Sequence, residues 1–187
     1  MASTLEIQPR RFTAEEYDRV AEAGVFSGQE RVELLAGIIS DMSPEGKRHV
    51  VAIELARDVL SARLGKRAGM RIQHPLQVAS DSVPEPDVAI VEACDPRAYL
   101  EEHPSTALLV IEVSHHSLRR DMDFKAQLYA RAGVREYWVE NLVDDEIEVF
   151  REPHADGYGS QRTYRRGESI ALLSFPDVEL AVDELLP

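Results

Sequence analysis

The run Leu108-Leu109-Val110-Ile111-Glu112-Val113 constrains this chain more than any other segment. It is almost wholly apolar and shows no alternation of polar and apolar positions, the pattern of a strand buried on both faces. Such a strand needs packed layers above and below it. From about Leu118 to Ala132 the spacing is helical, Gly133 stands at the C′ position that ends many helices, and Glu136-Tyr137-Trp138-Val139 reads as the next strand. Strand, helix, strand in this order predicts a right-handed crossover. The expected fold class is therefore α/β, a mixed β-sheet flanked by helices in a single domain.

The rest of the chain fits that frame. Thr13-Ala14-Glu15-Glu16 has the capping-box pattern and predicts a helix through about Ala23. Arg31 to Met42 reads as two short strands around Ala36-Gly37. Ser43-Pro44 is expected to start the longest helix, with Val50, Ile53, Leu55, Leu60 and Leu64 as its apolar stripe up to Gly65. Strands are expected over Met70 to Val78 and Val88 to Val91, and Phe124 and Leu128 are expected to pack their helix on the sheet. In the tail, Glu146 to Phe150, Gln161 to Tyr164 and Ser169 to Leu173 should extend or edge the sheet. The core of the domain spans about 12–151, with 152–187 as a β-rich extension.

Composition narrows the function. The single cysteine, Cys94, excludes an intrachain disulfide framework and a Cys-rich zinc ribbon, and no run approaches the ~20 apolar residues of a membrane span. The opening MASTLEIQPRRF contains no apolar stretch of the signal-peptide kind, so a reducing, cytoplasmic compartment is expected. A net charge of −13 argues against holding nucleic acid by a broad basic surface, which depends on Lys and Arg displacing phosphate counterions. Excess carboxylate can instead serve a hard divalent cation, which would invert the local field where a phosphate has to sit.

Two carboxylates stand where burial makes them costly. Glu112 interrupts the apolar run, and an unpaired buried carboxylate costs several kcal/mol. Asp87 follows Pro86 at the start of the strand Asp87-Val88-Ala89-Ile90-Val91. Neighbouring strands lie about 5 Å apart, close enough for two carboxylates to share one ion. In the helix after Glu112, Asp121, Lys125 and Tyr129 recur at i, i+4 and i+8 and so share one face. A lysine reaching back from that face could activate water or stabilise the charge of a phosphorane-like transition state. The set reads as metal-assisted phosphodiester hydrolysis.

This constellation, Pro86-Asp87, Glu112-Val113-Ser114 and Lys125, resembles the PD-(D/E)XK nuclease superfamily. The wider pattern is similar to the Uma-two family of restriction-endonuclease-like proteins. It is carried by Glu33-Leu34-Leu35-Ala36-Gly37, Met42-Ser43-Pro44, His49, Gln73-His74-Pro75-Leu76, Pro84-Glu85-Pro86-Asp87, Asp121 with Lys125, and Tyr129 to Trp138. The superfamily's usual lysine position is occupied by Ser114; in the family the lysine has moved onto the following helix, which transfers to Lys125. The resemblance implies a restriction-endonuclease-like fold, Asp87, Glu112 and the Val113 backbone carbonyl as ligands of Mg²⁺ or Mn²⁺, and Lys125 as the catalytic cation. Glu33 and His49 enter as auxiliary residues. Ala36 departs from the family's acidic residue before Gly37.

The implied activity is a metal-dependent endonuclease acting on nucleic acid, DNA in the first instance, as a homodimer. Two other functions fit the composition: an acidic binding or regulatory module on a nuclease scaffold, and a phosphodiesterase for small molecules. His115-His116 reads as a polar loop, since adjacent side chains on an extended chain diverge. Tyr137 and Trp138 read as sheet core, and Arg119-Arg120 is the basic pair best placed for a phosphate.

Overall fold

The structure, a computed structural model, describes residues 9–26, 30–42, 44 and 46–187. Helix α1 (Ala14–Glu22) is followed by strands β1 (Val32–Leu35) and β2 (Ile38–Asp41), helix α2 (Lys47–Leu64), and strands β3 (Ala68–Ile72), β4 (Val88–Glu92) and β5 (Leu109–Ser114). A π-helical turn, Arg120–Lys125, runs directly into α3 (Ala126–Arg131). The chain returns through β6 (Glu136–Asn141), β7 (Glu146–His154) and β8 (Gly157–Arg165), then a short pair, β9 (Ser169–Ala171) and β10 (Glu179–Ala181), and the turn α4 (Val182–Leu185).

The six sheet strands lie in the order β3-β4-β5-β6-β7-β8. Only β5 and β6 pair parallel, with Ile111 opposite Trp138, because the π turn and α3 carry the chain back across the sheet between them. As the apolar run requires, every residue of β5 is buried. Alternation then sorts the core into two layers. Ile90, Ile111, Trp138 and Val149 pack with α2, whereas Ala89, Val110, Tyr137 and Phe150 pack with Ala126 and Tyr129 on the other side. The site sits at the end of the central strands, where β5 leaves the sheet and both helical layers can reach it. The β9–β10 pair and α4 add Ile170, Leu180, Val182 and Leu185 to the layer under α2. Among the described residues, no helix is long and apolar enough to cross a membrane.

Helix α1 begins as its sequence predicts: Thr13 accepts from the Glu16 amide, and Glu16 accepts from the Thr13 amide. In the β1–β2 hairpin the two turn residues, Ala36 and Gly37, have φ of 48° and 78°. This is the left-handed pair that a two-residue hairpin of right-twisted strands needs. A Cβ on Gly37 would meet Arg11 Cβ at 2.6 Å, so glycine is required there for space as well as for φ.

Several boundaries differ from expectation. Helix α2 starts at Lys47 rather than at Ser43-Pro44, because Gly46 is its extended N-cap; Ser43 lies outside the described residues. Its buried stripe is Ala52, Ile53, Ala56, Leu60 and Leu64, two alanines letting the helix approach the sheet, while Val50 is 43% exposed. Strand β3 stops at Ile72, where Gln73 turns the chain at φ 51°. Phe124 is exposed and Leu128 only partly buried, since Asp121, Lys125 and Tyr129 take the inner face of their helix together with Ala126 and Ala130.

Candidate active site

Asp87 is delivered to the end of the central strands by Pro86 and by the pairing of β4 with β5, in which Val88 stands opposite Ile111. Its Oδ2 accepts the Val113 amide at 2.8 Å, and His49 Nε2 lies 3.3 Å from the same oxygen. Gln73 Nε2 donates to Oδ1 at 3.4 Å. The carboxylate is thus tied to β5 and to the first turn of α2 together.

Glu112, one residue before Val113, points to the α3 face of the sheet. Its Oε1 accepts from Lys125 Nζ at 2.9 Å and from the Tyr129 hydroxyl at 2.7 Å. Burial pushes the Glu112 carboxyl up to about 8 against the lowering effect of Lys125. Lys125 is 1% exposed, and its Nζ also lies 3.0 Å from Glu33 Oε2. Burial alone would lower the ammonium, but Glu112, Glu33 and Asp121 hold it above its usual value. Burial, and then the charge of Glu112, push the Tyr129 phenol well above its ordinary value, so it remains a donor at neutral pH.

The π turn shapes this face. Its wide i→i+5 bond runs from the Ala126 amide to the Asp121 carbonyl, which also accepts from the buried Tyr137 hydroxyl at 3.0 Å. Single π turns inside helices recur at functional sites because they reorient side chains that a regular turn would space differently. Here Asp121, Lys125 and Tyr129 all end up buried against the end of β5. Asp121 Oδ2 accepts from the hydroxyls of Ser114 and Ser117. Ser114 therefore orients a carboxylate on the helix that carries Lys125.

Asp87, Glu112, Val113, Asp121 and Lys125 line one small cavity of about 30 Å³, with His49 and Arg120 at its edge. Glu33 meets the group through Lys125, and the rim cation Arg120 has Nη1 3.7 Å from Glu33 Oε1. The sequence-predicted residues Asp87, Glu112, Lys125, Glu33 and His49 thus come together from five separate elements. Of the basic pair, Arg120 reaches the cavity, whereas Arg119 is exposed on its helix near Asp123.

Two site features were not singled out from the sequence. The first is the Ser114–Ser117–Asp121 cluster, whose signal is the i, i+4 spacing of Ser117 and Asp121. The second is Arg31, on the cavity wall just before β1, for which the sequence carries no distinctive signal.

The cavity wall carries both signs of charge, Asp87, Glu112 and Asp121 with Lys125, Arg31 and Arg120. Glu33 adds a fourth carboxylate behind Lys125, and Glu33 Oε1 and Asp121 Oδ1 are buried without a hydrogen-bond partner. Among the described residues, no three His, Cys, Asp or Glu side chains converge in metal-holding geometry. Any ion would rest on two carboxylates plus backbone oxygen. That donor set is hard and oxygen-rich, of the type that suits Mg²⁺ and Mn²⁺.

Comparisons with known proteins agree with the fold. A family model described as "Putative restriction endonuclease" (Uma2) matches residues 14–183. A crystal structure of "a putative nuclease belonging to DUF820" from Anabaena variabilis ATCC 29413 superposes with a TM-score of 0.70. It covers 93% of this chain and 97% of its own at 13% identity, a likeness of fold. Among curated proteins, none matches.

Proposed function

Since the chain belongs to the Uma2 family of restriction-endonuclease-like proteins, we propose that it hydrolyses phosphodiester bonds of nucleic acid, DNA in the first instance, with Mg²⁺ or Mn²⁺ held by Asp87, Glu112 and the Val113 carbonyl. One observation carries this reading. Asp87 from the start of β4, Glu112 from β5 and Lys125 from the crossover helix converge on a single buried cavity. The carboxylates Asp87, Glu112 and Asp121 on its wall support the cation, which would offset their repulsion of a phosphate. When bound, the ion supplies Lewis-acid polarisation of the phosphoryl oxygen and a more acidic water.

The chain's own residues divide the remaining work. Asp87 is fixed by the Val113 amide and His49, so the ligand carboxylate is preorganised rather than free to swing. Lys125, held between Glu112 and Glu33, keeps an ammonium beside the point where charge develops on the phosphoryl group. Tyr129 and the Ser114–Asp121 contact fix the rotamers of that pair. Arg120 at the rim takes a phosphate oxygen. Cutting both strands of a duplex needs two such centres, so the working unit in this reading is a cytoplasmic homodimer.

Calorimetric titration with Mn²⁺ tests the reading without knowledge of the substrate. The folded wild type should bind about one equivalent, and the folded Asp87→Asn, Glu112→Gln double variant should bind none. Equal behaviour would remove the two carboxylates from a metal centre. A plasmid-nicking assay then tests the activity: Lys125→Ala should lower turnover by roughly 10²–10³, the loss of one preorganised electrostatic group.

A further inference from the structure

A second cavity, about 250 Å³, opens directly beside the carboxylate cavity and shares His49 and Ser117 with it. Its other walls come from the first turn of α2 (Lys47), the loop after β5 (His115, His116), and Leu142 beyond β6. Where the inner cavity mixes carboxylates with cations, no carboxylate lines this one; its charged and titratable walls are Lys47, Arg48 and three imidazoles. Lys47 is exposed and forms no ion pair among the described residues, and the rings of His115 and His116 meet edge-on at 4.3 Å. Arg48 is already engaged, with Nη1 on the Leu142 carbonyl at 2.9 Å and Nη2 on Asp145, so it braces the wall and leaves Lys47 as the open cation.

The charge pattern of α2 points the same way. The first turn of α1 carries Glu15 and Glu16 and a side-chain cap, as the positive end of a helix favours. The first turn of α2 has no acidic residue among its described positions and no side-chain cap, and it presents Lys47, Arg48 and His49 instead. Against a net charge of −13, Lys47 stands as an open cation at the mouth of the inner centre.

We infer that this outer cavity is the subsite for the phosphate next to the scissile one along a polynucleotide, with Lys47, His115 and His116 as its contacts. The inference rests on the nuclease reading and makes it more specific, because a substrate with a single phosphodiester would leave the subsite empty. His49, common to both cavities, would sit between consecutive phosphates.

The test is binding of a short fluorescein-labelled DNA duplex, followed by anisotropy across a salt series, with Ca²⁺ replacing Mn²⁺ to suppress turnover. The triple variant Lys47→Gln, His115→Gln, His116→Gln should bind roughly 10-fold more weakly, and its slope of log affinity against log salt should be shallower by about one. Lys66→Gln, at the far end of α2, should match the wild type. A triple variant that binds with wild-type affinity and slope overturns the inference and leaves the nuclease reading standing. A wild type that binds neither duplex nor single-stranded DNA or RNA overturns both. Thermal melting separates a folding defect from a binding one: removing a cation from a helix N-terminus should leave the melting temperature unchanged or raised.

Discussion

Glu112 on β5 and Glu140 on β6 are both buried, one register step apart on neighbouring strands, yet their surroundings are opposite. Glu112 faces the α3 layer, where Lys125 and Tyr129 both donate to it. Glu140 shares the α2 face with Trp138, and neither of its oxygens has a hydrogen-bond partner. Burial first, and then the nearby charge of Asp87, push the Glu140 carboxyl well above its usual range. The difference shows what opposes the rise that burial imposes on a carboxyl inside this sheet. Beside Glu112 the ammonium of Lys125 works against burial, whereas at Glu140 no cation does and Asp87 adds to the rise. Glu136 is buried too, but it accepts from Arg151, Trp138 and the Leu173 amide.

The largest effect should come from removing the cation that separates the two cases. Lys125→Met leaves Glu112 and Glu33 buried without their shared partner, and breaking a buried pair from one side costs about 3–5 kcal/mol. Urea unfolding of the metal-free protein measures it. Adding Glu112→Gln to that variant should recover a large part of the loss, because the uncompensated charge is then gone. A Lys125→Met protein with an unchanged midpoint and slope would mean that Lys125 does nothing to offset the burial of Glu112, and the contrast with Glu140 would collapse.

Glu140→Gln tests the other side. Because the folded state holds this proton more tightly than the unfolded chain, the Glu140 contribution is fully present below about pH 4.5 and is lost as pH rises toward the folded value. Each unit in that window should cost the wild type about 1.4 kcal/mol relative to the glutamine variant. The measurement is the difference in unfolding free energy between the two proteins across a pH series. A difference that stays flat would mean that Glu140 carries its charge at neutral pH in spite of having no partner.

These contrasts also show how much the sequence reveals. The central strand was legible because burial on both faces leaves a continuous apolar run, and the capping box of α1 because its partners are three residues apart. Asp121, Lys125 and Tyr129 were legible as one face, since their spacing of four survives even in a helix that contains a π turn. What the helix packs with was less legible. Phe124 is the more apolar residue, yet it is exposed, because the polar trio finds partners on β5 and β1 that lie far away in the chain. Glu140 could not be distinguished from a solvent-facing strand glutamate by local pattern, since its burial without partners depends on how the sheet packs under α2. The start of α2 was misplaced because Pro44 suits a first helical turn in general, whereas here the extended Gly46 sets the boundary.

The smallest effect tests whether the hydroxyl or the ammonium does more to offset the burial of Glu112. Tyr129→Phe removes one donor to Oε1 but leaves Lys125 at 2.9 Å, and it preserves the ring that packs against Tyr137. A hydrogen bond to a charged group contributes about 1.5 kcal/mol at the lower end of its range, well below the cost of stranding two carboxylates. Urea unfolding should therefore rank Tyr129→Phe clearly milder than Lys125→Met. If the two losses were equal, the ammonium would be contributing no more than a neutral hydroxyl, and the distinction between Glu112 and Glu140 would rest on hydrogen bonding alone. If the expected ranking holds, charge compensation is the decisive term, and the centre is built around Lys125.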